Sequence, residues 1–329
     1  DNDNILNPGE EFQITFTISN NSFYLDSSNI IGELLNSNGI SFQQNTLDFG
    51  NVNIGENSSI TVSGSIDAAA TLGSFDKELI LTSTYTDLNG ATINQESNFP
   101  FVIEISLYQN GFPYDVDSEI RTSPAIIDFT NDGSYEIIFG DNNGYIHVID
   151  NNGNPILEDF FPYDTGNQIW GSPAAGYIDG DDTIDIAVTS KSKYLYILDQ
   201  YGLKNSFNAN QFLIGTPALG NLDEDEDLEI VFGGYSTQAK IFAINLDGSP
   251  VEGFPVILGE KMQKGFALYD FNGNNKDDIV LGTDNDNVYL VYDDGSIADD
   301  FPFETGNKIR SAPSVIDDGN SKYIVAGST

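Results

Sequence analysis

The sequence predicts an all-β chain in two parts, a β-sandwich over residues 1–106 and a β-propeller of four-stranded blades over residues 107–329. Three observations carry this prediction. The first part alternates apolar and polar residues with period 2, the second repeats itself every 44 to 49 residues, and neither has sustained 3.6-residue periodicity.

In the first part, Phe12, Ile14, Phe16 and Ile18 alternate with Gln13, Thr15 and Thr17, as a half-buried strand requires. Further strands are expected over 47–54, 59–66, 78–86 and 99–105, with Asn89-Gly90 as a turn. Six to eight short strands in about 100 residues point to an immunoglobulin-like β-sandwich.

The repeat begins near residue 108. Phe112-Pro113-Tyr114 through Ser123-Pro124-Ala125 returns as Phe161-Pro162-Tyr163 through Ser172-Pro173-Ala174, and again as Phe301-Pro302-Phe303 through Ala312-Pro313-Ser314. Weaker copies run from Phe254-Pro255 and end at Thr216-Pro217-Ala218. The equivalent positions 124, 173, 217, 266 and 313 are spaced 49, 44, 49 and 47 residues apart. That is the period of a four-stranded blade. Each copy holds an apolar strand, an acidic loop, a second strand such as 136–140, a third such as 145–150, and a Gly-rich turn. Four full copies and part of a fifth are expected; either later blades lie outside this sequence, or the ring is completed by other domains of a larger precursor or by neighbouring subunits.

Composition narrows the function. Twelve Lys and Arg against 51 Asp and Glu give a formal charge of −39. Such a chain is repelled by phosphate backbones and anionic lipid, so nucleic acid and acidic membranes are excluded as partners. The 39 % hydrophobic and 12 % aromatic content supplies a core and excludes disorder. No Cys is present, which removes disulfides, thiolate metal sites and Cys nucleophiles. No run of 18 apolar residues exists for membrane insertion. So many carboxylates suit a medium rich in divalent cations, and an extracellular setting, secreted or at the cell surface, is expected.

The loop between the first and second strands of each blade carries the chemistry. In the third repeat Asn221, Asp223, Asp225, Asp227 and Glu229 occupy positions 1, 3, 5, 7 and 9; in the fourth, Asp270, Asn272, Asn274, Lys276 and Asp278 do so. A hard cation such as Ca²⁺ takes six to eight oxygens, and alternate residues of a tight loop can aim several at one centre. Position 7 would serve through its carbonyl, so Lys276 is admissible. An EF-hand is excluded, because Glu226 and Asn275 stand where it needs Gly, and a strand follows instead of a helix. Asp, Asn and Gly also form turns without any metal. Three or four carboxylates within nine residues nevertheless repel one another unless a cation intervenes.

Over about residues 108–329 these repeats resemble the FG-GAP or VCBS repeats of integrin-α-type propellers. The resemblance implies Ca²⁺ in loops of the form D-x-[DN]-x-D-G-x-x-[DE]. By that likeness the first loop offers Asp128, Asp132, the carbonyl of Ser134 and Glu136, with Thr130 departing at position 3. The second offers Asp179, Asp181, the carbonyl of Thr183 and Asp185, with Tyr177 replacing the first acid. In the fifth, Asp317 matches position 1, but the loop is two residues shorter and Tyr323 stands in the last position. The opening residues 1–10 resemble the D-x-D-G-x-x-N-P-G-E start of sandwich domains that follow the catalytic domain of secreted bacterial proteases. That likeness implies a further Ca²⁺ on Asp1, Asp3 and Glu10, whereas Asn7-Pro8-Gly9 alone is a turn signal.

No catalytic constellation emerges. His147 is the single histidine and aligns with Tyr196, Phe242 and Tyr289, a structural position. Trp170 aligns with Arg121 and Arg310, near a loop. The expected function is a non-enzymatic adhesion or ligand-binding module for an extracellular protein or glycan. The alternative is the accessory C-terminal region of a secreted hydrolase, such as a subtilisin-like or gingipain-like protease. A third reading is a polysaccharide-active enzyme using paired carboxylates.

Overall fold

The computed structural model describes residues 5–22, 25–87, 89–109 and 111–329. Among them there is no helix, and none is long and apolar enough to cross a membrane. The chain divides into two compact units, Asp1–Pro113 and Tyr114–Thr329, seven residues beyond the boundary expected from the sequence.

The first unit has seven strands: β1 (Glu11–Ser19), β2 (Ser27–Leu34), β3 (Ile40–Phe42), β4 (Thr46–Val52), β5 (Asn57–Ile66), β6 (Gly73–Thr86) and β7 (Thr92–Ile105). They form two antiparallel sheets, ordered β1-β5-β3 and β4-β2-β6-β7. Both sheets contribute to one core, in which Leu34, Ile40, Leu47, Val62, Ile66 and Ile105 are almost inaccessible. The alternation in β1 half-buries Phe12, Ile14, Phe16 and Ile18 against it.

The sandwich stands, but its strand order differs from the immunoglobulin one. There the first, second, fifth and fourth strands pair in one sheet, and the third, sixth and seventh in the other. Here the three-residue β3 pairs with β5, while β2 joins the long β6–β7 hairpin. Gly32 of β2 permits this docking, because a Cβ there would lie 2.9 Å from Leu79 and 3.1 Å from Phe49.

The second unit contains four four-stranded antiparallel sheets. The first comprises β8 (Ala125–Ile127), β9 (Glu136–Gly140), β10 (Tyr145–Ile149) and β11 (Tyr163–Asp164); the second β12 (Ala174–Gly176), β13 (Asp185–Thr189), β14 (Tyr194–Asp199) and β15 (Gly202–Asn208). The third holds β16 (Ala218–Gly220), β17 (Glu229–Gly233), β18 (Lys240–Ile244) and β19 (Val256–Ile257), and the fourth β20 (Ala267–Tyr269), β21 (Asp278–Gly282), β22 (Asn287–Val291) and β23 (Phe303–Glu304). Two further strands, β24 (Ser314–Asp317) and β25 (Lys322–Val325), pair with each other.

Within each sheet the strands follow chain order, and the first strands β8, β12, β16, β20 and β24 lie side by side in sequence. This is the arrangement of successive propeller blades. Apolar side chains of adjacent sheets interlock between them. Ile138 and Val148 of the first pack with Ile186 and Val188 of the second, and Val231 and Ile241 of the third with Ile279 and Tyr289 of the fourth. His147 stacks on Phe139 at 4.9 Å, as Phe242 stacks on Phe232 at 5.0 Å in the third sheet. The four repeated Phe-Pro peptide bonds, at 113, 162, 255 and 302, are all cis.

Two sets of backbone bonds repeat with the blades. Within a blade, the hairpin after the second strand donates to the segment leading into the first: Asn142 to Glu119, Lys191 to Gln168, Tyr235 to Phe212 and Asp284 to Lys261, at 2.7 to 3.0 Å. Between blades, Ile169 donates to Asp141, Met262 to Gly234 and Ile309 to Thr283. The acidic loops therefore sit at the start of each second strand, and this hairpin seam at its far end.

Candidate metal centres

Each acidic loop closes on the first residue of its blade's second strand. Those four residues, Glu136, Asp185, Glu229 and Asp278, are at most 2 % exposed. A buried carboxylate must find donors or a positive charge, since an uncompensated one costs several kcal/mol. One oxygen of each is met by the loop backbone. Glu136 Oε2 accepts from Phe129 and Thr130 N–H at 2.8 and 3.0 Å, Asp185 Oδ2 from Ile178 at 3.3 Å, Glu229 Oε2 from Leu222 at 2.5 Å, and Asp278 Oδ2 from Phe271 at 2.7 Å. The other oxygen distinguishes the loops.

In the third loop it meets nothing among the described residues. Glu229 Oε1 is buried without a hydrogen-bond partner, and so is Asn221 Oδ1. Oxygens of Asp223, Asp225 and Glu229 lie within 4.8 Å of one another. Burial, then the nearby carboxylates of Asp223 and Asp225, pushes Glu229 up to about 7 against the pull of the Leu222 N–H. Carboxylates and an amide oxygen, all hard donors, are the set Ca²⁺ selects. The residues present fit a divalent cation. The Asp227 side chain lies outside the group, its Oδ1 extending towards Gly180 of the preceding blade, consistent with position 7 serving through its carbonyl alone.

The second loop departs from expectation. The ammonium of Lys204, on β15 of the same blade, lies 2.8 Å from Asp179, 3.2 Å from Asp181 and 3.0 Å from Asp185. One Nζ thus faces three carboxylates, hydrogen-bonded to Asp179 and Asp181 and ion-paired with Asp185. Burial works against its charge, but Asp179, Asp185 and Asp181 outweigh that and hold the lysine well above its ordinary value. The protein's own cation stands where a divalent ion was expected. Thr183 turns inward, donating its N–H and hydroxyl to Asp181.

In the fourth loop the acids are met by protein donors. Asp278 Oδ1 accepts from Asp293 N–H at 3.1 Å and from the Asn272 amide at 3.4 Å, and Asp270 accepts from Gly273, Asn274 and Asn275. Asn275 holds φ of +65°, the left-handed turn that Gly133 supplies at the equivalent place in the first loop. Asn272 and Asn274 direct their amide hydrogens at Asp293, and Lys276 extends to within 3.9 Å of it. In the first loop Asp128 accepts from Asp132 and Gly133, and Asp132 from Ser134. The Thr130 hydroxyl is left buried without a partner, and burial raises Glu136. Asp1 and Asp3 lie outside the described residues, while Glu10 accepts from Asn7 N–H at 2.8 Å, closing the Asn7-Pro8-Gly9 turn.

Sequence reasoning missed Lys204, Asp293 and Asp277. Asp277 braces the third loop from the next blade, accepting from Asn221 N–H and donating its own N–H to the Asn221 carbonyl. Only Lys204 had a signal: Tyr177 removes the first acid from the loop that Lys204 of β15 serves.

No protein-family model and no curated protein sequence matches the chain. Among solved structures it is similar to BBS1N in complex with ARL6DN, at 11 % identity and a TM-score of 0.44 over 94 % of each chain. It is also similar to the computationally designed Ika8 protein, at 14 % identity and a TM-score of 0.45 over 92 % of this chain and 94 % of that one. A third is a protein of unknown function from Bacteroides caccae, at 10 % identity and a TM-score of 0.38 over 74 % of this chain and 78 % of that one.

Two outcomes follow for the loops. Glu229 titrates higher in the folded chain than its unfolded value of about 4.3, so its stabilising contribution without metal is full below that pH and is lost as pH rises through about 7. Denaturant melts of metal-depleted protein will therefore weaken from pH 4 to 7, and Glu229→Gln will flatten that slope. Lys204→Met strands the fully buried Asp185 and will cost about 3 kcal/mol, the low end for breaking a buried pair. Millimolar Ca²⁺ will recover much of that loss in the same melts, whereas an unchanged melt would discount the ion pair.

Proposed function

We propose that this chain is a calcium-stabilised, non-catalytic ligand-binding module of the cell exterior, built on FG-GAP/VCBS-type propeller blades that follow a β-sandwich in sequence. One observation carries the reading. The third loop gathers three carboxylates, and two of its buried oxygens, Glu229 Oε1 and Asn221 Oδ1, lack hydrogen-bond donors among the described residues.

Calcium bound there would supply the charge those oxygens lack and offset part of the −39 self-repulsion. Its effect on folding is that of any ligand held by the native state alone, RT ln(1 + [L]/Kd). Extracellular calcium modules bind at about 10⁻⁴ to 10⁻³ M, a range that keeps such a loop filled outside the cell and empty inside. The only histidine is stacked on Phe139 and bonded to Asp141, which fits a structural role.

A second reading has its own support. The Asn7-Pro8-Gly9-Glu10 opening forms a tight turn with Gly9 at φ of +88°, and its likeness to protease-associated sandwiches favours an accessory region of a secreted protease. The two are compatible if the module serves a larger enzyme.

Thermal unfolding with calcium and with chelator tests the proposal. The midpoint will fall by several degrees in chelator, as a loss of about 2 to 3 kcal/mol implies for ligand at a hundredfold its Kd. Glu229→Gln will abolish the difference, and an identical midpoint in both buffers refutes the calcium reading.

A further inference from the structure

At the hairpin end of the blades, away from the acidic loops, a second pattern repeats. The residue three before the Pro-equivalent position bonds to the hairpin of the preceding blade. Trp170 Nε1 donates to Asn142 Oδ1 at 2.9 Å, Gln263 Nε2 to the Tyr235 hydroxyl at 3.1 Å, and Arg310 Nε lies 3.6 Å from Asp284. At the junction of the second and third blades the corresponding residues are Lys191 and Ile214. Ile214 is 4 % exposed and has no polar side-chain atom, so Lys191 has nothing to meet there.

Lys191 turns back instead. Its ammonium lies 3.2 Å from the centroid of the Trp170 ring and donates to Gln168 Oε1 at 2.7 Å, a neutral partner. The Arg121 guanidinium lies 4.5 Å from the same ring centroid and is paired with Glu119, which is itself largely exposed. Two cations thus share one indole, and among the described residues Glu119 is the one carboxylate ion-paired with either, in a chain that has 51 acids to offer. Burial, then Arg121, lowers Lys191 below its ordinary value, so the pair carries an electrostatic cost that an anion would relieve.

We propose that Lys191 and Arg121, held against Trp170, form a binding site for the carboxylate of an acidic sugar on a glycan ligand. A carboxylate accepts from both a guanidinium and an ammonium, and Arg121 has donors beyond the one given to Glu119. Gln168 gives its Oε1 to Lys191 and keeps its Nε2 hydrogens for a sugar hydroxyl, while Asn142, bonded through Oδ1 to Trp170 and through Nδ2 to Glu119, braces the site. The body charge of −39 disfavours densely charged polymers, whereas isolated carboxylates meet a locally cationic surface once salt screens beyond about 8 Å. The site deepens the ligand-binding half of the proposed function. It lies at the other end of the strands from the calcium loops, so either can fail alone.

Trp170 is the only tryptophan and reports on the site directly. The whole chain, kept in calcium buffer at physiological salt, is titrated with glucuronate, with glucose, with acetate and with a short Asp/Glu peptide while indole emission is followed. Glucuronate will give a saturable change with Kd of about 1 mM, and glucose none. By calorimetry Lys191→Gln and Arg121→Gln will each weaken glucuronate at least about tenfold, the loss of one charged contact. Lys193→Gln, on the same hairpin, will leave binding intact, and all three variants will keep the parent's melting midpoint. Equal responses to glucose and glucuronate, or none to glucuronate, overturn the site. Tighter binding of acetate or of the peptide overturns its assignment to a sugar.

Discussion

A buried acid at the head of each blade's second strand is the constraint around which the second unit is organised. Glu136, Asp185, Glu229 and Asp278 are fixed by their place in the repeat, one oxygen clamped by loop N–H groups. That clamp folds the loop over the blade edge. It also leaves a charged group out of water, and each blade must answer it. The second blade answers with Lys204, the fourth with the Asp293 N–H and the Asn272 amide. The third has no such answer among the described residues, and divalent-ion chemistry fits it best.

The same backbone thus accommodates a lysine, a set of neutral donors, or an acidic set whose chemistry fits a divalent cation. The difference rests on few residues. Tyr177 in place of an acid removes one charge from the second loop, and one ammonium then meets Asp179, Asp181 and Asp185 together. In the third loop oxygens of Asp223 and Asp225 stay close to Glu229, while the next blade holds the loop by its backbone through Asp277. Repeated strand geometry fixes where the acids stand, and the side chains around them decide how they are neutralised.

Much of this was legible in the sequence, for physical reasons. Repeats report themselves because every blade must bury the same faces, so the 44 to 49 residue spacing and the second strands at 136–140 and onward could be read directly. Alternation in Phe12–Ile18 marked β1 for the same reason. Strand order in the sandwich was not legible, because alternation tells which face a residue takes and says nothing about which strand lies beside it. Lys204 was hidden because it comes from a different strand, 19 residues beyond Asp185, and only the hairpin of β14 and β15 returns it. The engaged amides of the fourth loop were hidden too, since Asn offers an oxygen to a metal and a hydrogen to a carboxylate with the same letter.

The hairpin end follows a parallel logic. A repeated bond between neighbouring blades fails at one junction because Ile214 replaces a polar residue, and the orphaned Lys191 settles on Trp170. At both ends a departure from the repeat marks the place where chemistry differs.

The central claim is that the buried acids of the second, third and fourth blades are neutralised by different means, and anomalous diffraction from crystals grown with calcium and soaked with a lanthanide tests it most directly. The account predicts a strong peak bounded by Asn221, Asp223, Asp225 and Glu229, and none beside Lys204. Density for an ion among Asp179, Asp181 and Asp185 with Lys204 displaced, or an empty third loop, would contradict it.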